Sequence, residues 1–413
     1  MNTAALSAFI EAESRALIPP AGMTAPAVAP SVQRVAILSE AFLPKVDGVT
    51  RSALLTVRHL QNTGREVIIF APSPAPTHIG TTPVITLPAL PLPTFPETRI
   101  ALPFLPIVAL LRRFRPDIIH LFSPFSLGTA GMLAGGILRL PVIANYQTDL
   151  PAYTASYGFP ALRQTFIGAI RWLHNGCTRT LAPTLGVAET VRQWGLRRVH
   201  VWGRGVDSVR FDPAHRDPMW RERLLGGRSP ESLLCLYVGR LAREKSLDVL
   251  RDLAAEKDIA LTLVGGGSYE REIARLLNSN GRRAHFMGEL HGDDLAYAYA
   301  AADVFVFPGA KETFGQVILE ALASGLPVIA INAGGPAGII TDGITGYLCA
   351  EGDSAAFAAH ARRLQANPTL RGGMADAGRR YALERSWALI MGELERHYGE
   401  VMALHRRYMP SLS

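Results

Sequence analysis

Eight consecutive residues, Val238-Gly239-Arg240-Leu241-Ala242-Arg243-Glu244-Lys245, carry the densest chemistry in the chain. An apolar run ends there and a helical pattern begins. Backbone amides at such a junction point at a ligand, and Arg240 and Lys245, five positions apart, can converge on a diphosphate. The chain has four lysines (Lys45, Lys245, Lys257 and Lys311) against 38 arginines, so a lysine here reads as a choice of compact point charge. Further on, the segment from Glu312 through Thr313, Phe314, Gly315 and Gln316 to Glu320 places two glutamates eight positions apart. The first falls in a turn and the second about two turns into the helix that follows, on roughly the same face. Glu312 can then meet a ligand's hydroxyls and Glu320 can accept from a ribose diol. The amides of Phe314, Gly315 and Gln316 would face an anion. Either segment alone is an ordinary exposed helix start; their combination makes accident improbable.

Smaller features add to these. Gly265-Gly266-Gly267 follows a strand pattern, and reads equally as backbone approaching a nucleotide or as a plain tight turn. His120 and His174 have no ligand spacing and are expected to be structural. No Asp-x-Asp occurs, and Cys177, Cys235 and Cys349 match no metal spacing and form no even disulfide framework. The expectation is therefore no metal, no other cofactor and a reducing compartment.

The elements that must position these residues follow from hydrophobic patterning. Apolar runs at 35–38, 67–70, 84–86, 118–122, 141–145, 180–182 and 199–202 read as strands of a first domain. Helical patterns lie at about 48–61, 100–114, 127–138, 160–175 and 187–194. A polar linker spans 203–232. A second set of strands falls at 233–239, 260–265, 284–288, 303–308 and 327–331. Helices are expected near 247–254, 270–278, 293–299 and 314–323, then at 354–365, 370–384 and 387–406. Short runs alternating with helices predict an α/β class with two doubly wound Rossmann-like domains facing across a cleft, the ligand lying at the strands' carboxyl ends. The expected division is a tail at 1–30, domains at 31–203 and 204–384, and a C-terminal segment at 385–413 returning to the first domain. At 413 residues, two such domains are within ordinary size.

Together GRLAREK, LVGGGSYE, FMGEL, ETFGQVILEALASGLPVIAINAGGP and DGITGYL resemble the retaining family 4 glycosyltransferases of the GT-B fold. The likeness runs from Val35 to about Met402. At the front, SEAFLPKVDGVTRS and YQTDLPAYTASYG resemble a bacterial branch. That branch holds GDP-mannose-dependent α-mannosyltransferases and sulfoquinovosyl- and glucosyl-lipid synthases, and YQTD is closest to the mannosyltransferases. The resemblance implies that Arg240 and Lys245 hold a donor diphosphate, that Glu312 contacts the donor sugar and that Glu320 holds the ribose. It places Gly288 at the base and brings Asp47-Gly48-Val49 near the phosphates and acceptor. Where many relatives carry a histidine, this chain has Gln147 within Tyr146-Gln147-Thr148-Asp149. Asp149 is taken as its substitute, with Tyr146, Gln147 and Thr148 at the acceptor.

The implied reaction moves a hexosyl group, mannosyl from GDP-mannose, onto a lipid-linked or glycolipid acceptor. The alternatives are a UDP-hexose donor with diacylglycerol or a soluble acceptor, and a GT-B sugar-nucleotide epimerase. Charge bears on the acceptor. Between Ser31 and His200 there are 16 Lys/Arg against 7 Asp/Glu, a net of +9 in a chain of net +7, so the rest sums to −2. That half is expected to face an anionic membrane surface, with residues 100–111 and 160–173 as interfacial helices with basic flanks. Nucleic acid is not an expected partner, because no aromatic-basic recognition motif accompanies the high pI. Residues 67–96 and 118–138 lack charge but are broken by prolines and glycines, so neither is a membrane span. The first 30 residues lack the basic start and apolar stretch of a signal peptide. A cytoplasmic enzyme, peripheral at the inner face of the membrane, is the resulting expectation.

Overall fold

A computed structural model describes residues 15–17, 32–45, 47–92, 95–101, 107–147, 151, 163–312 and 314–408. The chain divides into two compact units, Met1–Arg204 with Ala388–Ser413, and Gly205–Trp387.

The first unit contains strands β1 (Arg34–Ser39), β2 (Glu66–Pro72), β3 (His78–Ile79), β4 (Thr82–Leu87), β5 (Ala89–Leu92) and β6 (Phe95–Ala101). It continues with β7 (Ile118–Phe122), β8 (Val142–Asn145), β9 (Arg179–Ala182) and β10 (Val199–Val201). Eight of them form one sheet in the order β10-β9-β8-β7-β1-β2-β4-β3, parallel except for the β3–β4 pair. Val35 of β1 lies opposite Val67 on one side and Ile118 on the other. The near-continuous apolar runs suit strands covered on both faces. The direction of strand order reverses between β1 and β7, which places the ends of these two strands at a switch point.

One expectation fails here. Residues 100 and 101 are not helical but end β6, which pairs with β5 as a separate antiparallel ribbon; a helix is described over Ile107–Phe114, and residues 102–106 of the expected helix lie outside the described residues.

The helices Ile107–Phe114, Ser126–Leu138 and Arg163–Gly176 lie side by side, and all three close over the core around Leu38, Phe70, Leu121 and Met132. The helix Trp387–Tyr408 is tied to this unit by polar contacts. Arg65 donates to both oxygens of Glu395 (2.5 and 2.7 Å), and His59 Nε2 lies 2.7 Å from Glu395 Oε1. Trp202 Nε1 donates to Ile390 O (2.9 Å). His120 sits between Tyr398 Oη (2.8 Å) and Asn145 Oδ1 (3.0 Å). Burial lowers the His120 and His174 imidazoles to about 4, so both are neutral core groups, as their lack of ligand spacing implied. With Asn145 Oδ1 accepting, His120 carries its proton on Nε2 and accepts at Nδ1.

The second unit is a six-stranded parallel sheet. Its strands are β11 (Leu233–Val238), β12 (Ile259–Val264), β13 (Ala284–Phe286), β14 (Val304–Phe307), β15 (Val328–Ile331) and β16 (Gly346–Cys349). Their order is β13-β12-β11-β14-β15-β16, so β11 and β14 flank the switch point. The expected helix at 247–254 is instead two 3₁₀ segments, Leu247–Arg251 and Leu253–Ala255. Leu247, Leu250 and Leu253 are all fully buried, and an apolar spacing of three fits the three-residue turn of a 3₁₀ helix. The three cysteines are free and buried, with burial raising each thiol. Among the described residues no helix is long and apolar enough to cross a membrane.

Arg65 and Glu395 have side chains only 1% exposed, so removing one strands the other. Glu395→Ala should therefore destabilise the protein by about 3–5 kcal/mol. Denaturant unfolding checks the loss, and hydrogen exchange should show protection lost first along Trp387–Tyr408.

Candidate active site

At the carboxyl end of β11 the chain turns at Gly239, where φ is +152°, a backbone region that favours glycine. Gly239 N donates to Val264 O (3.0 Å) and Leu241 N to Gly266 O (2.9 Å), so this turn lies against the loop after β12. A Cβ on Gly265 would collide with Gly239 O, and one on Gly267 with Leu241 O. Of the two readings of Gly265-Gly266-Gly267, this geometry gives the triplet a definite job: it brings two backbones together beneath Arg240. Gly288, after β13, accepts from Gly265 N (2.8 Å) and has φ +70°.

Lys245 follows on the 3₁₀ segment Arg243–Lys245 rather than on an α-helix. Its ammonium forms an ion pair with Glu312 Oε1 and lies 5.8 Å from the centroid of the Phe307 ring. The lysine side chain is 12% exposed. Burial lowers its pKa to about 8, nearby Arg240 adds to the effect and Glu244 opposes it. Arg240 is largely exposed and donates to Glu244 Oε1 at 2.6 Å, while Glu244 is itself buried. The site thus has one nearly dry cation and one wet cation, each paired with a carboxylate.

Glu312 follows β14, on the other side of the switch point from Lys245. Its carbonyl accepts from Gly335 N (2.6 Å), and a Cβ on Gly334 or Gly335 would collide with the backbone of Glu312 or Phe314. Two glycines in NAGGP therefore seat the Glu312 turn. Thr313 lies outside the described residues. The expected helix start at Phe314 is corrected: Gly315, φ +90°, is the N-cap and the helix is Gln316–Ala323. Glu320 is consequently one turn into the helix, not two. Its side chain is buried, with the Tyr299 hydroxyl donating to Oε2 (3.3 Å), rather than lying on an open helix face.

In the first unit, Asp47 caps the helix Gly48–Asn62, its Oδ1 accepting from Val49 N (3.0 Å) and Thr50 N (2.9 Å). Gly48 O accepts from Arg204 Nη1 (2.8 Å), whose guanidinium burial lowers to about 10. Tyr146, expected at an acceptor, is a core residue. Its ring packs edge-on against His174 and Trp194, at centroid distances of 6.0 and 6.1 Å. Gln147 is also buried, and its Nε2 donates to Ser52 Oγ (3.4 Å) on the helix that Asp47 caps. Thr148 and Asp149 lie outside the described residues.

Glu244, Phe307, Arg204 and the Gly334-Gly335 seat had no assigned role in the sequence reading. Glu244 stood inside the GRLAREK motif and could have been found as Arg240's i,i+4 partner. The others carry no local signal.

Residues 225–381 match the family described as Glycosyl transferases group 1, and residues 46–210 match Glycosyltransferase Family 4. A GDP-mannose-dependent alpha-mannosyltransferase of Mycobacterium tuberculosis is 40% identical over 382 residues, covering 89% of this chain and 97% of the relative. The chain belongs to the family 4 glycosyltransferases. The transferase is also 35% identical over 311 residues to the sulfoquinovosyl transferase SQD2 of Arabidopsis thaliana, covering 72% of this chain and 59% of that protein. Its fold matches that of Anabaena Alr3699/HepE in complex with UDP, with a TM-score of 0.70 and 19% identity, over 91% of this chain and 100% of the other. The fold class is GT-B, and each half is the Rossmann-like parallel sheet expected from the sequence.

If Lys245 holds a diphosphate, as its motif implies, it must be charged to do so, and the bound diphosphate would raise its pKa above about 8. Below that pH the lysine is already protonated and donor affinity should be flat. Above it binding must take up a proton, so affinity should fall by up to about tenfold per pH unit. Calorimetry of nucleotide diphosphate binding in two buffers of different ionisation heat checks both the slope and the proton uptake. In Lys245→Met the break near pH 8 should vanish.

Proposed function

We propose that the transferase moves a mannosyl group from GDP-mannose, with retention, onto a lipid-linked or glycolipid acceptor reached at an anionic membrane surface. The observation carrying this reading is the pairing of Lys245 with Glu312 beside Arg240, in a chain so similar to GDP-mannose-dependent mannosyltransferases. Cleavage of the bond between the anomeric carbon and the diphosphate leaves its electron pair on a phosphate oxygen. Arg240 and Lys245 stabilise that charge, with the Gln316–Ala323 helix start adding partial positive charge. Lys245 exchanges Glu312 for the phosphate, which releases the Glu312 carboxylate to the donor sugar's hydroxyls. The acceptor hydroxyl attacks on the face the diphosphate leaves, and its proton passes to the departing phosphate oxygen. Two protein cations supply the role a divalent metal has in other transferases, so activity is proposed to need no metal.

In the first unit, Asp47-Gly48 and Gln147 meet at the helix Gly48–Asn62, which supports an acceptor-side role for that helix start. Tyr146 is withdrawn from that role because its ring is in the core. A UDP-hexose donor is the second reading, favoured by the similarity to a sulfoquinovosyl transferase.

A donor panel separates the two. GDP-mannose at about 100 times its Kd should stabilise the fold by about 2.7 kcal/mol, and UDP-glucose or UDP-sulfoquinovose by far less. Stronger stabilisation by a UDP-hexose, matched by its turnover, would replace the mannosyl reading. Lys245→Ala and Arg240→Ala should each lower kcat by about 10²–10³, beyond any loss of thermal stability from the Glu312 or Glu244 carboxylate left unpaired, which circular dichroism at the assay temperature controls for. Wild-type turnover in both variants would remove the diphosphate assignment.

A further inference from the structure

The three helices covering one face of the first sheet have an unusual surface. Ile107–Phe114, Ser126–Leu138 and Arg163–Gly176 contain no Asp or Glu. The central one, SLGTAGMLAGGIL, has no charged residue, although a helix on the surface of a globular protein ordinarily turns a polar face to water. Leu133 and Ile137, one turn apart on it, are 49% and 64% exposed. Trp172, on the neighbouring helix Arg163–Gly176, is 57% exposed. Arginines edge this apolar strip: Arg112 and Arg113 on the first helix, Arg139 at the C-cap of the second, and Arg163 and Arg171 on the third, all exposed.

We infer that this three-helix face is the surface by which the transferase docks on an anionic lipid bilayer, with Leu133, Ile137 and Trp172 inserted and the arginines at the headgroups. It deepens the membrane-acceptor reading above and rests on it. Charge complementarity selects this occupant. An acid-free face with apolar residues at its centre and guanidinium groups at its edge matches acyl chains beneath phosphate headgroups. Tryptophan suits the boundary, because its ring is apolar and its N–H finds a partner among the headgroups. A second copy of the same face would set arginine against arginine, which disfavours self-association.

The full-length protein is tested by sedimentation with vesicles of phosphatidylglycerol and phosphatidylcholine, and of phosphatidylcholine alone. Binding to the anionic vesicles should exceed binding to the neutral ones by at least about tenfold and fall at 1 M salt. The triple variant Leu133→Ser, Ile137→Ser, Trp172→Ser removes exposed side chains only, so it should fold while losing most binding even at low salt. Arg112→Ser with Arg113→Ser should lose chiefly the anionic preference. Nucleotide diphosphate affinity should be unchanged in all of them, which controls for folding. Wild-type binding that survives the triple substitution would overturn this face and leave the lipid-acceptor reading standing. The same holds if wild-type protein ignores vesicles yet glycosylates a detergent-dispersed lipid. A wild-type dimer in gel filtration that the triple variant disperses, without vesicle binding, would assign the face to a second copy and also overturn the proposal.

Discussion

A lysine ammonium taken nearly out of water needs a carboxylate beside it, and the Lys245–Glu312 pair is the constraint around which the second unit is organised. The two residues arrive from strands on opposite sides of the point where strand order reverses, so neither segment can shift without stranding the other's charge. The surrounding glycines serve that placement. Gly265 and Gly267 let the β12 loop press against the Gly239–Leu241 turn, and Gly334 and Gly335 let the chain after β15 press beneath Glu312. An added side chain at any of these would collide with the backbone of the turn it packs against. Burial, with Arg240 nearby, leaves the lysine with a pKa of about 8, near the working range, a property an exposed lysine would lack.

The first unit is organised by a different constraint, the segregation of polar groups to its interior seam and of apolar and basic groups to one outer face. Arg65, Glu395, His59, His120 and Tyr398 satisfy one another where the C-terminal helix packs. That seam explains why a basic, acid-poor unit still contains charges in its core. Arg65 there is matched by Glu395, and burial keeps His120 neutral.

Much of this was legible in the residues themselves. The strand runs of both sheets, the helix opening after Asp47, and the Arg240, Lys245 and Glu312 constellation follow from local patterns: apolar runs, a capping residue, and cations or carboxylates at element ends. Elements failed where a local pattern was ambiguous. Residues 247–254 fit either helix type until the spacing of three leucines met a buried wall, and Ile100 and Ala101 looked helical because apolar composition alone does not separate a strand end from a helix start.

Side-chain fates, by contrast, were decided in three dimensions. Tyr146 and Gln147 share a motif, yet one ring fills the core between His174 and Trp194 while the other side chain reaches Ser52, because successive strand-end residues point opposite ways. Glu320 repeats the chemistry of Glu312 in sequence but lies buried against Tyr299, since a helix starting at Gln316 turns it inward. The sequence alone determined the family, the two-sheet fold and the grouping of Arg240, Lys245 and Glu312 at strand ends, because these depend on periodicity and on short motifs there. Only the tertiary structure decided that Glu312 neutralises Lys245 and which apolar helix face meets solvent. Those outcomes depend on strand order and packing between residues far apart in the chain, which no local pattern encodes.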